Sequence, residues 1–110
     1  MTAYIIVNLE VHDQALFAQY REAMPDLLRA RGGSFVARGG ELRVLEGPDV
    51  LPRLVILGFP EMAAAQAFYD SDEYAPLKAK RHAAARSHVL LVEGCQPDQF
   101  ALSNVRSSPA

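Results

Sequence analysis

The side chain in this sequence with the most to explain is Arg81. It shares a helical stripe with Tyr74, Leu77 and Ala84 at spacings of three and four, and a stripe of that makeup faces a core. A guanidinium taken out of water needs a carboxylate, a phosphate or a ligand anion. Arg81 is therefore a candidate anion holder; the plainer alternatives are an internal ion pair with Glu93 or Glu46, or a stem that carries the charge back to the surface. Arg38, just before Gly39-Gly40, is a second candidate, with a solvated turn residue as its alternative. Arg21 follows Tyr20 and is placed to reach the same cavity mouth, unless it pairs with Glu22 or Asp26 on the helix surface. Tyr20, Tyr69 and Tyr74 come from two helical regions and fall near the apolar stripes. Their hydroxyls are thus expected among hydrophobic walls, as in a small-ligand pocket, or else at the edge of a filled core with water beyond. A cavity of roughly 300 Å³ or more receiving Arg81 and two tyrosines favours the first reading. Arg81 paired with an acid in a filled core favours the second.

Other reactive residue types form no constellation. His12, His82 and His88 are widely spaced, with no H-x-x-x-H or H-E-x-x-H pattern, so no metal site is expected. His88, at a strand start, has a side chain that titrates near neutrality, although a structural or exposed histidine is the simpler expectation. Ser71 reads as a helix N-cap rather than a nucleophile, and Cys95 follows the last strand with nothing to lower its pKa. Neither glycine pair belongs to a phosphate-binding loop, and no nucleotide or other cofactor is implied. The run Lys78-Ala79-Lys80-Arg81-His82 reads as a solvated helix face carrying one inward arginine.

These residues sit in a chain of 110, half of it apolar or aromatic, 22% charged, with a net charge of -2. One compact domain is expected, neither disordered nor furnished with the basic footprint that nucleic acid requires. There is no apolar run of membrane-spanning length and no basic, apolar leader at the start, so a soluble cytoplasmic protein without membrane partners is expected. A single cysteine excludes an internal disulfide.

The elements that must position the candidates alternate in period. Ala3 to Val11 reads as a strand; Asp13 is a plausible N-cap for a helix from Gln14 to about Arg31, ended by Gly32-Gly33. Phe17, Tyr20, Met24, Leu27 and Leu28 form its apolar stripe, and Pro25 within it predicts a kink or break near Arg21 to Met24. Ser34 to Arg38 and Glu41 to Glu46 read as a hairpin around Gly39-Gly40. Arg53 to Phe59 is a strong strand. A helical region from Glu61 to about Arg86 is expected as two helices meeting at Ser71, before a last strand from His88 to Glu93. Residues 1–95 make the domain, and 96–110 turn polar and proline-containing, as a loosely ordered tail does.

That order gives an α+β class: a ferredoxin-like βαββαβ sandwich, an antiparallel sheet with helices on one face. Three of its strands are nonetheless apolar on both faces, where a sheet with one wet side should alternate. A homodimer with two sheets packed face to face would cover the second face.

Several motifs in one order resemble the DUF1330 family of small bacterial proteins. They are Arg38-Gly39-Gly40, Glu46-Gly47, Arg53 to Pro60, Phe68-Tyr69-Asp70-Ser71-Asp72-Glu73-Tyr74 and Leu91-Val92-Glu93-Gly94, and the likeness spans roughly Thr2 to Gly94. The resemblance implies the dimeric α/β-barrel superfamily, whose members include cofactor-free monooxygenases, isomerases and haem-binding enzymes, each with a cavity between sheet and helices. It also implies a shared polar set at Arg38, Tyr69, Ser71, Tyr74 and Arg81. Where the family has Ser-Pro-Glu-Tyr this chain has Ser71-Asp72-Glu73-Tyr74, and Asp72 is equally at home in a first helical turn. The expected function is small-molecule binding, of an anionic or aromatic ligand, with a cofactor-free isomerase or monooxygenase as its enzymatic form. A non-catalytic homodimer is the alternative.

Overall fold

The structure, a computed structural model, describes residues 2–95; the expected tail therefore lies outside the described residues. The chain folds as β1 (Ala3–Val11), α1 (Gln14–Ala30), β2 (Ser34–Arg38), β3 (Arg53–Phe59), α2 (Met62–Tyr69), α3 (Ala75–Ala84) and β4 (Ala85–Glu93). The four strands form one sheet in the order β2-β3-β1-β4, every pair antiparallel. This is the ferredoxin-like arrangement the pattern implied.

Alternation assigns the two faces of the sheet. Ala3, Ile5, Val7 and Leu9 of β1 are buried beneath the helices, beside Leu57 and Phe59 of β3. Phe17, Tyr20, Met24 and Leu28 of α1 meet them, with Phe68 of α2 and Leu77 of α3. On the outer face Tyr4 and Ile6 are half-buried, and Val36, Leu90 and Val92 are exposed. Among the described residues no helix is long and apolar enough to cross a membrane.

α1 starts and stops by local chemistry. The Asp13 carboxylate accepts from the Leu16 N–H at 3.0 Å, satisfying one of the donors left free at a helix start. At the other end Gly32 takes φ 79°, its N–H donates to the Arg29 carbonyl, and Gly33 donates to that of Leu28. This doubly bonded reversal needs a residue that tolerates positive φ.

Four expectations about boundaries are corrected. Pro25 does not break α1, which runs unbroken from Gln14 to Ala30. Glu41 to Glu46 is not a strand, and β2 pairs instead with β3 across a long loop. Val44 and Leu45 in that segment are exposed, whereas Leu57 and Phe59 of β3 bury their side chains, so the pairing that adds to the core prevails. The last strand begins at Ala85 rather than His88, because Val11, Glu10 and Leu9 of β1 offer Ala85, Arg86 and Ser87 a ladder that outweighs their helix propensity. α3 starts at Ala75 rather than Ser71; Ser71 instead organises the turn, its hydroxyl donating to the Phe68 carbonyl at 2.8 Å and accepting from the Tyr74 N–H at 3.1 Å.

Candidate functional site

A cavity of about 350 Å³ opens between α1 and the helix-facing side of the sheet, toward its β2 edge. Phe17, Tyr20 and Met24 of α1 form one wall, at the one-face spacing of a helix. Val7, Leu9, Val55 and Leu57 form the other, from alternate positions of two neighbouring strands. Phe35 of β2 closes the side, and Arg21, Arg38 and Arg53 stand around the opening.

Arg38 reaches the cavity through an irregularity in β2. Phe35 pairs with Leu57, but Ala37 pairs with Ile56 and Arg38 with Val55, so the register steps by one residue between them. Strict alternation from Phe35 would turn Arg38 to the outer face; the bulge returns it to the inner one. Its guanidinium lies 4.2 Å over the Phe35 ring and donates to the Arg21 carbonyl at 2.9 Å. Arg53 needs no bulge, because it leads the row Arg53, Val55, Leu57, Phe59, and its guanidinium sits 5.4 Å over the Phe17 ring. Gly39, beside it, takes φ 71°, a backbone conformation that favours glycine.

Behind the wall lies a second layer of polar groups. The Tyr20 hydroxyl is 3.2 Å from that of Tyr74, joining α1 to the start of α3. Burial pushes the Tyr20 pKa well above the usual tyrosine value, aided by Tyr74 and only partly offset by Arg81, so Tyr20 stays protonated. Arg81 is 1% exposed. It donates to the Ser87 hydroxyl at 2.5 Å and, at 3.5 Å, to that of Tyr69; its Nε has no partner. Burial works to lower its pKa, yet the hydroxyls of Tyr74, Tyr20 and Tyr69 outweigh that and the net direction is upward. Among the described residues no ion pair involves Arg81, so neither Glu93 nor Glu46 neutralises it.

The six expected site residues are thus distributed over four places. Tyr20 and Arg38 line the cavity. Tyr74 and Arg81 are buried behind Tyr20, while Ser71 fastens the turn before α3. Tyr69 borders a separate depression of about 190 Å³ with Gln66 and Leu91, under the ammonium of Lys78 at 4.1 Å. Sequence reasoning missed Arg53, Phe35 and Ser87. Arg53 had a readable signal, since a charge heading an apolar i, i+2, i+4 row is the strand counterpart of Arg81 on its helical stripe. Among the described residues no group of three His, Cys, Asp or Glu side chains is placed to hold a metal.

The family model DUF1330, a domain of unknown function, matches residues 2–95, and the chain belongs to that family. No curated protein matches. Among solved structures, a protein of unknown function from Rhodopseudomonas palustris, RPA0582, superposes with a TM-score of 0.71 at 17% identity, over 87% of this chain and 84% of that one. SnoaB, a cofactor-independent oxygenase from Streptomyces nogalater, superposes with a TM-score of 0.54 at 17% identity, over 86% of this chain and 94% of its own. At such identity the likeness is one of fold.

Proposed function

We propose that this DUF1330 protein binds a small organic molecule between α1 and the sheet and acts on it without a resident cofactor. The cavity carries the reading: about 350 Å³ with largely apolar walls and one buried tyrosine, inside the range of roughly 300 to 1,000 Å³ typical of small-molecule sites. Tyr20, held protonated by burial, is a donor rather than a base. Its hydroxyl shares a hydrogen bond with that of Tyr74 behind the wall, so the apolar walls and the arginines at the opening are the groups left to meet a ligand. The fold shared with a cofactor-independent oxygenase supports an oxygenation or isomerisation that needs no resident cofactor.

A homodimer through the outer sheet face belongs to the same reading. Ile56, Ile6 and Leu90 lie side by side across β3, β1 and β4, and Tyr4 pairs with Val92 beside them. That row, with exposed Val36 and with Val44, Leu45 and Val50 in the β2–β3 loop, is an apolar surface that a second copy would cover. The exposed free thiol of Cys95 suits a reducing compartment, and a cytoplasmic location is proposed with it.

The test is a thermal-shift screen with small aromatic and aliphatic compounds on the wild type and on Val55→Phe, which fills the cavity from its sheet wall. Compounds that raise the wild-type melting temperature are expected to lose their effect in the variant. If no compound shifts the wild type, or if Val55→Phe responds equally, the cavity is not the binding site, and the non-catalytic dimer is left standing.

A further inference from the structure

We propose that the molecule held in this cavity is an organic anion, that Arg38 and Arg53 receive its negative group, and that Pro25 in α1 poses Arg38 to do so; the inference rests on the cavity being a ligand site.

Charge at the opening is one-sided. Arg21, Arg38 and Arg53 all border the cavity, and among the described residues none of them takes part in an ion pair. Three like charges beside apolar walls repel one another, and a ligand carrying a carboxylate or a similar group relieves that repulsion while its apolar body fills the space. A neutral ligand relieves nothing.

The local structure fixes the charge in place. Proline has no N–H, so Pro25 leaves the carbonyl four residues earlier, that of Arg21, without its helical donor. The Arg38 guanidinium donates to this same carbonyl at 2.9 Å. One backbone acceptor released by one residue of α1 thereby anchors an arginine of β2. A neutral carbonyl, unlike a carboxylate, leaves the full positive charge in force. With its face on Phe35 and one of its five N–H groups committed, the Arg38 guanidinium keeps donors for a ligand oxygen. Arg53 completes the pair from the neighbouring strand, its stem passing the bare Cα of Gly39.

Two matched pairs of probes separate this inference from the reading it rests on: benzoate with benzamide, and 2-naphthoate with 2-naphthamide, titrated by calorimetry. The acids are expected to bind at least about tenfold more tightly than the amides, as charge-assisted hydrogen bonds warrant, and to weaken with added salt. In the double variant Arg38→Gln, Arg53→Gln the ratio of acid to amide affinity is expected to fall to about one. In Pro25→Ala, which restores a helical donor to the Arg21 carbonyl, the preference is expected to fall several-fold with no loss of melting temperature. Acid and amide bound alike by the wild type would overturn the anion assignment and leave the cavity as a ligand site. Failure of both members of each pair to bind would overturn both. An unchanged preference in Pro25→Ala would remove Pro25 from the proposal.

Discussion

Arg81 is a guanidinium held by hydroxyls alone, with one nitrogen unsatisfied. Burial of such a charge costs several kcal/mol, and no carboxylate compensates it. Tyr69 and Ser87, both half-buried, can turn to water if the arginine is removed. Arg81→Met is therefore expected to raise stability to chemical denaturation by about 1–3 kcal/mol. A large loss of stability would show instead that the arginine is structural. Tyr20 gives a pH dependence of defined sign. Its folded pKa is raised, so the stability it contributes is present below the unfolded value and is lost as pH rises. The stability difference between wild type and Tyr20→Phe is expected to be constant near neutrality and to fall by about 1.4 kcal/mol per pH unit above a pH of about 10. A flat difference would mean that the hydroxyl is not desolvated. The inward direction of Arg81 was legible in the sequence, because three residues of known polarity share its stripe. Its partners were not, since Ser87 lies beyond a helix-to-strand boundary that only the ladder with β1 determines.

At the scale of elements, the site depends on irregularities in otherwise regular pieces. Helix and strand periods place Tyr20, Met24, Val55 and Leu57 on the cavity, and both periods can be read from the sequence. The bulge that returns Arg38 to the inner face cannot, because it arises from how β2 pairs with β3 rather than from its own residues. The expected hairpin at Glu41 to Glu46 failed for a related reason: its apolar row is only Leu42 and Val44, while Arg53 to Phe59 offers β2 the longer row that is buried in the core. Pro25, read as kinking or breaking the helix, leaves α1 continuous and frees a carbonyl that Arg38 takes. The reversal after α1 is tightly built. Gly33 has no Cβ, and one placed there would lie 2.5 Å from Leu28 Cδ1 and 2.7 Å from Phe59 Cε1. Gly33→Ala is expected to cost about 1–3 kcal/mol by overpacking, measured as a lower denaturation midpoint with an unchanged slope. No loss would mean that α1 and β3 are less closely packed at this end.

For the whole molecule, the outer sheet face exposes Val36, Leu90 and Val92, the surface proposed to meet a second chain. Sedimentation at low micromolar concentration is expected to give twice the 12.1 kDa chain mass. Leu90→Lys, on an exposed outer position, is expected to shift the population toward a folded monomer. A wild type that is already monomeric would remove the dimer. The family and the fold could be read from ordered motifs and periodicity; the cavity could not, since its volume depends on how side chains from three elements fail to fill one space.

The most direct measurement uses the methionine that lines the cavity. Met24 is buried in its wall and Met62 is not part of it. In a titration of methyl-labelled protein with 2-naphthoate, followed by NMR, the Met24 methyl signal is expected to move saturably while that of Met62 stays in place. Saturable binding that leaves Met24 unmoved would contradict a ligand site between α1 and the sheet.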